Sequence, residues 1–198
     1  MADADNLISL TPHALRGLAH PLRVRMLNEL RERGPSTATL LAARLGESSG
    51  STSYHLRQLA SHGFVVEDTT RGDGRERWWR PAHRGTELNA ANARAAPGNA
   101  EAYLRAVATA DFQRVDEFLG ALTSVPEAWQ DVTTISSTGL RLTAAQAADL
   151  RARIEAVIAE FPVDDPEEPA AGGTDRVCLQ WQLFPQLPDL PPRSMEAP

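Results

Sequence analysis

The sequence has one cysteine, no lysine and no long apolar run, and each shortage excludes something. Cys178 alone cannot form an intramolecular disulfide or a multi-cysteine metal site. Its place between Val177 and Leu179, in a strand-like run, predicts an inert buried thiol rather than an oxidant sensor. No stretch approaches the roughly 20 apolar residues of a membrane-spanning helix. Met1-Ala-Asp-Ala-Asp5 is acidic with no apolar run behind it, which predicts no secretory leader and a cytoplasmic protein. No nucleophile motif or glycine-rich phosphate loop is present, and Gly72-Asp-Gly74 reads as a turn, so no enzyme is expected. Eight of the 14 prolines fall after Phe161, which predicts a loosely structured end.

The net charge of −6 argues against a nucleic-acid partner, but its distribution argues for one. Residues 11–86 carry twelve arginines against seven acids, a balance of +5. Residues 101–198 carry seven arginines against sixteen acids, a balance of −9. A basic module is followed by an acidic one.

The basic module reads as a series of short elements. Thr11-Pro12 opens a helix, with threonine as N-cap and proline where no amide donor is needed. A second helix starts at His20-Pro21, carries Leu22, Met26, Leu27 and Leu30, and stops at Gly34-Pro35. Thr37 opens a third, with Ala38, Leu41, Ala42 and Leu45 on one face and Gly46 as its end. A fourth starts near Ser48 or Ser49 with Thr52, Leu56 and Leu59 inward, and ends around His62-Gly63. Two short helices joined by about four residues containing glycine are a helix-turn-helix arrangement. The period then changes: residues 64–69 and 75–80 read as strands of a hairpin whose tip is Arg71-Gly72-Asp73-Gly74.

Leu18-Ala-His-Pro-Leu-Arg-Val-Arg-Met-Leu27, then Ala42-Ala-Arg-Leu-Gly46, then Ser51-Thr-Ser-Tyr-His-Leu-Arg-Gln-Leu59 and Gly63-Phe-Val-Val66 resemble the ArsR-type winged helix-turn-helix regulators of bacteria. The resemblance spans about 70 residues in order. It implies a homodimer that binds double-stranded operator DNA as a repressor and releases it on a signal. The metal ligands of many such regulators are missing: Ser36 to Gly46 contains no cysteine, and no histidine follows His83. Neither a metal nor another cofactor is therefore expected.

With Thr52, Leu56 and Leu59 inward, Gly50, Ser53, Tyr54 and Arg57 project outward. A recognition helix places its N-terminal part in the major groove. Ser49, Gly50, Ser51, Ser53 and Tyr54 are accordingly candidates for base edges and flanking phosphates, and Arg57 and Gln58 for phosphates. Arg71, Arg75 and Arg77 around the hairpin tip suit a minor groove or its walls. Arg23, Arg25, Arg31 and Arg33 read as a solvated face partnered by Glu29 and Glu32. His55 reads as a half-buried residue with a polar partner. One of Trp78 and Trp79 is expected on the core.

From Glu101 the apolar positions Leu104, Val107, Phe112, Val115, Leu119 and Leu122 keep a helical stripe, a candidate dimer interface. Residues 129–135, 140–142 and 176–184 read as strands. Thr143-Ala-Ala-Gln146 is a capping box opening a helix with Ala147, Leu150, Ile154, Val157, Ile158 and Phe161 on its buried side. Trp129, Trp181 and Phe184 could wall a pocket for a small apolar effector. The expected architecture is mainly α with small β: an N-terminal winged helix-turn-helix followed by a small α+β domain. The segments are a flexible N-terminus at 1–10, the DNA-binding domain at 11–88, a linker at 89–100, the dimerisation or effector domain at 101–185 and an irregular tail at 186–198. The competing reading is a winged helix used only for protein contacts, which would not need Arg57, Arg71, Arg75 and Arg77 together.

Overall fold

The computed structural model describes residues 6–71, 76–168 and 172–186. The chain divides into two compact units, one of residues 1–134 with 163–175, the other of 135–162 with 176–198.

In the first unit, helices start where the sequence supplies a cap. Thr11 accepts the Ala14 amide and opens α1 (Pro12–Leu18). His20 does the same for the Leu22 amide through Nδ1 at 3.2 Å and opens α2 (Pro21–Arg33). Thr37 caps α3 (Ala38–Leu45), and Gly46, at φ 68°, closes it in the left-handed conformation glycine adopts without strain. Ser48 caps α4 (Ser49–Ser61).

The hairpin is present as β3 (Val65–Glu67) and β4 (Trp78–Pro81), paired antiparallel with Val66 opposite Arg80. A short strand, β2 (Ser36–Thr37), pairs with the other edge of β4, making a three-stranded sheet in the order β2-β4-β3. Trp79 is buried on the core and Trp78 half-buried, as alternation across a strand requires.

Residues 7–10 are not a flexible end. β1 (Leu7–Ser9) pairs in parallel with β5 (Gly85–Glu87), the Leu10 amide donates to the Glu87 carbonyl, and the Leu10 side chain is fully buried. Nor are residues 89–100 a linker. Asn89 caps α5 (Ala90–Ala95), and α6 (Pro97–Gly120) follows at once. Alanine is the best helix former, and Pro97 stands in a first turn where its missing donor costs nothing.

α6 belongs to the core of the winged helix rather than to a later domain. Ala100, Ala106 and Ala110 are buried in the cluster that holds Leu15, Leu27, Leu56, Leu59 and Phe64. The small side chains let the helix approach α1 and α2 closely. Arg25–Glu117 and Arg114–Glu32 pairs, each 2.7 Å, flank the contact with α2. The larger stripe, the candidate dimer interface, is mostly outside in the single chain. Leu104 is 54% exposed and Phe112 71%; Leu119 and Leu122 are also exposed, Val115 is half-buried, and Val107 packs on the core. Leu122 lies beyond the helix in a 3-10 turn at Leu122–Ser124.

After a short α7 (Glu127–Gln130), the second unit supplies α8 (Ala144–Ile158), opened by the expected capping box between Thr143 and Gln146. Its apolar side is not buried: Ala147, Leu150, Ile154 and Ile158 are half-buried, Val157 and Phe161 exposed. The expected strands at 129–135, 140–142 and 176–184 are absent, and the second unit holds no strand among its described residues. β-branched residues there tolerate an extended backbone, but a strand also needs a partner and a face to bury. Val132, Ile135, Leu140, Val177 and Leu179 have neither and are exposed. Cys178 is exposed as well, not the buried thiol its neighbours suggested.

Candidate nucleic-acid interface

The interface is organised by how α4 is held. The turn at residues 46–48 ends α3 and starts α4, with the Glu47 amide donating to the Ala42 carbonyl and the Ser51 amide to the Ser48 hydroxyl. Thr52 is fully buried, and its hydroxyl donates to the Ala38 carbonyl at 2.9 Å, tying the two helices together. Leu56 and Leu59 are fully buried below it. This fixes the opposite face.

Ser49, Gly50, Tyr54 and Arg57 are exposed, while Ser51, Ser53 and Gln58 are half-buried. Gly50, Ser53, Tyr54 and Arg57 share the outward face, and the amide of Ser51 is used in the cap. Small residues and a tyrosine therefore lead the helix, with one guanidinium a turn further on.

At the base of the wing, the Asp68 amide donates to the Trp78 carbonyl. The Asp68 carboxylate accepts from the amide and hydroxyl of Thr70, and these hydrogen bonds, with Arg71 and Arg80 beside it, hold its pKa below the ordinary value. Arg71, expected as a DNA contact, is engaged by Asp68 at 3.2 Å and Glu167 at 2.8 Å. Arg77 is exposed. Arg75 lies outside the described residues, as does the Gly72-Asp73-Gly74 part of the tip. Arg80, exposed on β4, is a further cation at this edge that the sequence reading passed over, although its alternation with Trp79 pointed outward.

Four histidines lock α4 from behind. His20 stacks on His55 with ring centroids 4.5 Å apart, and His13 on His62 at 4.4 Å. The sequence put His13 and His20 seven residues apart, with no hint that each pairs with α4. His55 is buried, and among the described residues its Nδ1 atom lacks the expected polar partner. Burial, then the Arg23 guanidinium, lowers the pKa of His20, against a smaller pull from Glu47. Burial lowers that of His55, followed by His20 and Arg23, again opposed by Glu47. For His62 burial leads, with His13, Arg23 and Arg16 acting the same way against a hydrogen bond with the His13 backbone.

These shifts set a pH dependence. All three folded pKa values lie below the unfolded 6.5, so the unfolded chain binds more protons in that window. The stability they carry is complete above 6.5 and declines as pH falls through it. The melting temperature should drop between about pH 7.5 and about pH 5.5, and drop less in His55→Phe. Equal declines in the two proteins would exclude His55 as a contributor.

The four helices and hairpin define a winged helix, whose α3 and α4 form the helix-turn-helix that sets a helix in the DNA major groove. A family described as a helix-turn-helix domain matches residues 18–68, about a quarter of the chain, and the match contains both helices. The matched segment is thus the helix-turn-helix part of the chain. Among solved structures, disulfide-formed AbfR is 17% identical over 52% of this chain and 71% of its own, with a TM-score of 0.28. A mutant of Lactococcus lactis ZitR in apo form is 15% identical over 72% and 82%, with a TM-score of 0.29. No curated protein matches the sequence.

Among the described residues no three histidine, cysteine or carboxylate side chains gather as a metal site, and no helix is long and apolar enough to cross a membrane. The aromatic residues expected to wall an effector pocket are not gathered within either unit. Trp129, in the first, donates its indole N–H to Asp175 at 2.7 Å. Trp181 and Phe184, in the second, are exposed.

Proposed function

We propose that this chain is a transcriptional repressor of the ArsR type, working as a homodimer on operator DNA without the metal ligands common in such proteins. The observation that carries the reading is α4: its buried side is fixed by Thr52, Leu56 and Leu59, and its free side offers Ser49, Gly50, Ser53, Tyr54 and Arg57. The basic balance of residues 11–86 supports it, because phosphate neutralisation supplies most non-specific affinity. Arg57, Arg77 and Arg80 would track phosphates, and the head of α4 the base edges.

Two half-sites need two copies. The stripe of exposed Leu104, Phe112 and Leu119 with half-buried Val115 on α6, opposite its alanine face, is the surface we assign to the second copy. Phe112→Asp should convert a dimer to a monomer by sedimentation while leaving the fold cooperative, because that side chain is 71% exposed in the single chain. A variant that sediments as the wild type does would remove α6 from the interface.

Selection of bound genomic fragments tests the whole reading. Recovered sites should be palindromic, with half-sites about one helical turn apart or a multiple of it. Recovery of no sequence above background would favour the winged helix as a protein-contact module.

A further inference from the structure

Arg31 is the arginine that the solvated-face reading misplaced. Its neighbour Arg33 has Glu29 at 3.2 Å and Arg25 has Glu117, but Arg31 has no carboxylate within ion-pair distance among the described residues. Its Nε donates to the His83 carbonyl at 3.1 Å, and its Nη2 is buried with no hydrogen-bond partner. Burial lowers its pKa to about 10, which leaves it charged at neutral pH. The residue as a whole is half-buried, and a charge partly withdrawn from water without a counter-ion is costly and ordinarily finds one.

The side chain lines a cleft of about 170 Å³ between α2, β5 and α6. One part of the lining is apolar, from Leu18, Val24, Leu27 and Val107. The other is polar, from Asn28, Thr86 and Tyr103 beside Arg31, with the Tyr103 and Thr86 hydroxyls 3.5 Å apart. No acid lines it, so the cleft offers donors and one positive charge and suits an anion. A planar guanidinium matches a carboxylate in two parallel hydrogen bonds. A single arginine is poor compensation for a doubly charged phosphate ester, and the apolar walls ask for a hydrocarbon body. A dry cavity of about 150 Å³ takes benzene, which sets the scale of the occupant.

We propose that this cleft binds a small monocarboxylate with an apolar body of one ring or a short chain, its carboxylate paired with Arg31, and that this ligand is the regulator's effector. The second half rests on the DNA-reading function. The position suits it: α2 begins at His20, which stacks on His55 of the recognition helix, and α6 carries the surface assigned to the partner copy. A ligand between α2 and α6 bears on both.

The test uses calorimetry on the full chain with benzoate and hexanoate as probes and benzamide as the neutral match to benzoate. Benzoate should bind saturably, one per chain, with benzamide at least about tenfold weaker. Arg31→Met, which keeps an unbranched side chain without the charge, should bind benzoate at least about tenfold more weakly while melting cooperatively. Val107→Phe should abolish binding of both carboxylates by filling the cleft, whether or not Arg31→Met folds. Equal affinity for benzoate and benzamide, benzoate binding unchanged in Val107→Phe, or no binding of either carboxylate at several millimolar overturns the site. A second arm measures affinity for the recovered DNA fragments with and without saturating benzoate. A change of about tenfold supports the effector role, and no change overturns it. Carboxylate binding without any DNA recovered would overturn the DNA-reading function and leave the site standing.

Discussion

Gly17→Ala is expected to destabilise the winged helix by about 2 kcal/mol, although the same exchange inside a helix ordinarily stabilises by about 1 kcal/mol. Gly17 lies in α1, and a Cβ there would sit 2.6 Å from His62 Cβ and Cγ and 2.8 Å from Phe64 Cε2. Neither neighbour can step aside cheaply. His62 caps the C-terminal end of α4 and stacks on His13, and Phe64 is fully buried. The methyl group must push α1 away from the recognition helix, so DNA affinity should fall with stability. Gly98, near the start of α6, has nothing within 4 Å of a Cβ and is the control. Gly98→Ala should unfold in urea at or slightly above the wild-type midpoint, and Gly17→Ala well below it. Equal midpoints for the two variants would mean that the α1–α4 packing is slack.

That packing was invisible in the sequence, and the contrast with what was legible follows from the range of the forces involved. Thr11, His20, Thr37, Ser48 and Gly46 act on amides or backbone angles within a few residues of themselves, so their roles can be read locally. The outward face of α4 was legible because Thr52, Leu56 and Leu59 fix its phase. The pairing of β1 with β5 joins two three-residue strands nearly eighty positions apart, too short to show a period. The alanine face of α6 went unread for another reason. Leucine, valine and phenylalanine outrank alanine in any count of apolar residues, yet close approach of helices favours the alanine face, leaving the larger side chains outward. Arg31 was indistinguishable from Arg25 and Arg33 until the packing of β5 and α6 against α2 covered it. The second unit failed on the same ground as β1, since strand character was written in composition and no partner strand follows from composition.

Arg57→Glu is expected to lower DNA affinity by about a hundredfold at roughly 0.1 M salt, with little effect on folding. Among the described residues Arg57 makes no ion pair, and it stands exposed one turn beyond Ser53 and Tyr54. Its charge is thus free to meet a phosphate, and reversing it replaces attraction by repulsion at the closest approach of the helix. Arg71 makes the comparison sharp. That guanidinium is already neutralised by Asp68 and Glu167, so Arg71→Ala should cost much less affinity than Arg57→Ala, despite the wing position of Arg71. Removing one phosphate-binding arginine should flatten the plot of log affinity against log salt by about one unit, which separates electrostatic from base recognition. Arg57→Ala should show that change and bind all sequences proportionally more weakly, whereas Ser53→Ala should alter the preference among sites at an unchanged slope. The melting temperature of each variant should stay near that of the wild type, because the substituted side chains carry none of the buried core. Affinity and slope for Arg57→Glu equal to those of the wild type would displace α4 from the DNA and leave the wing, with Arg77 and Arg80, as the remaining surface for binding it.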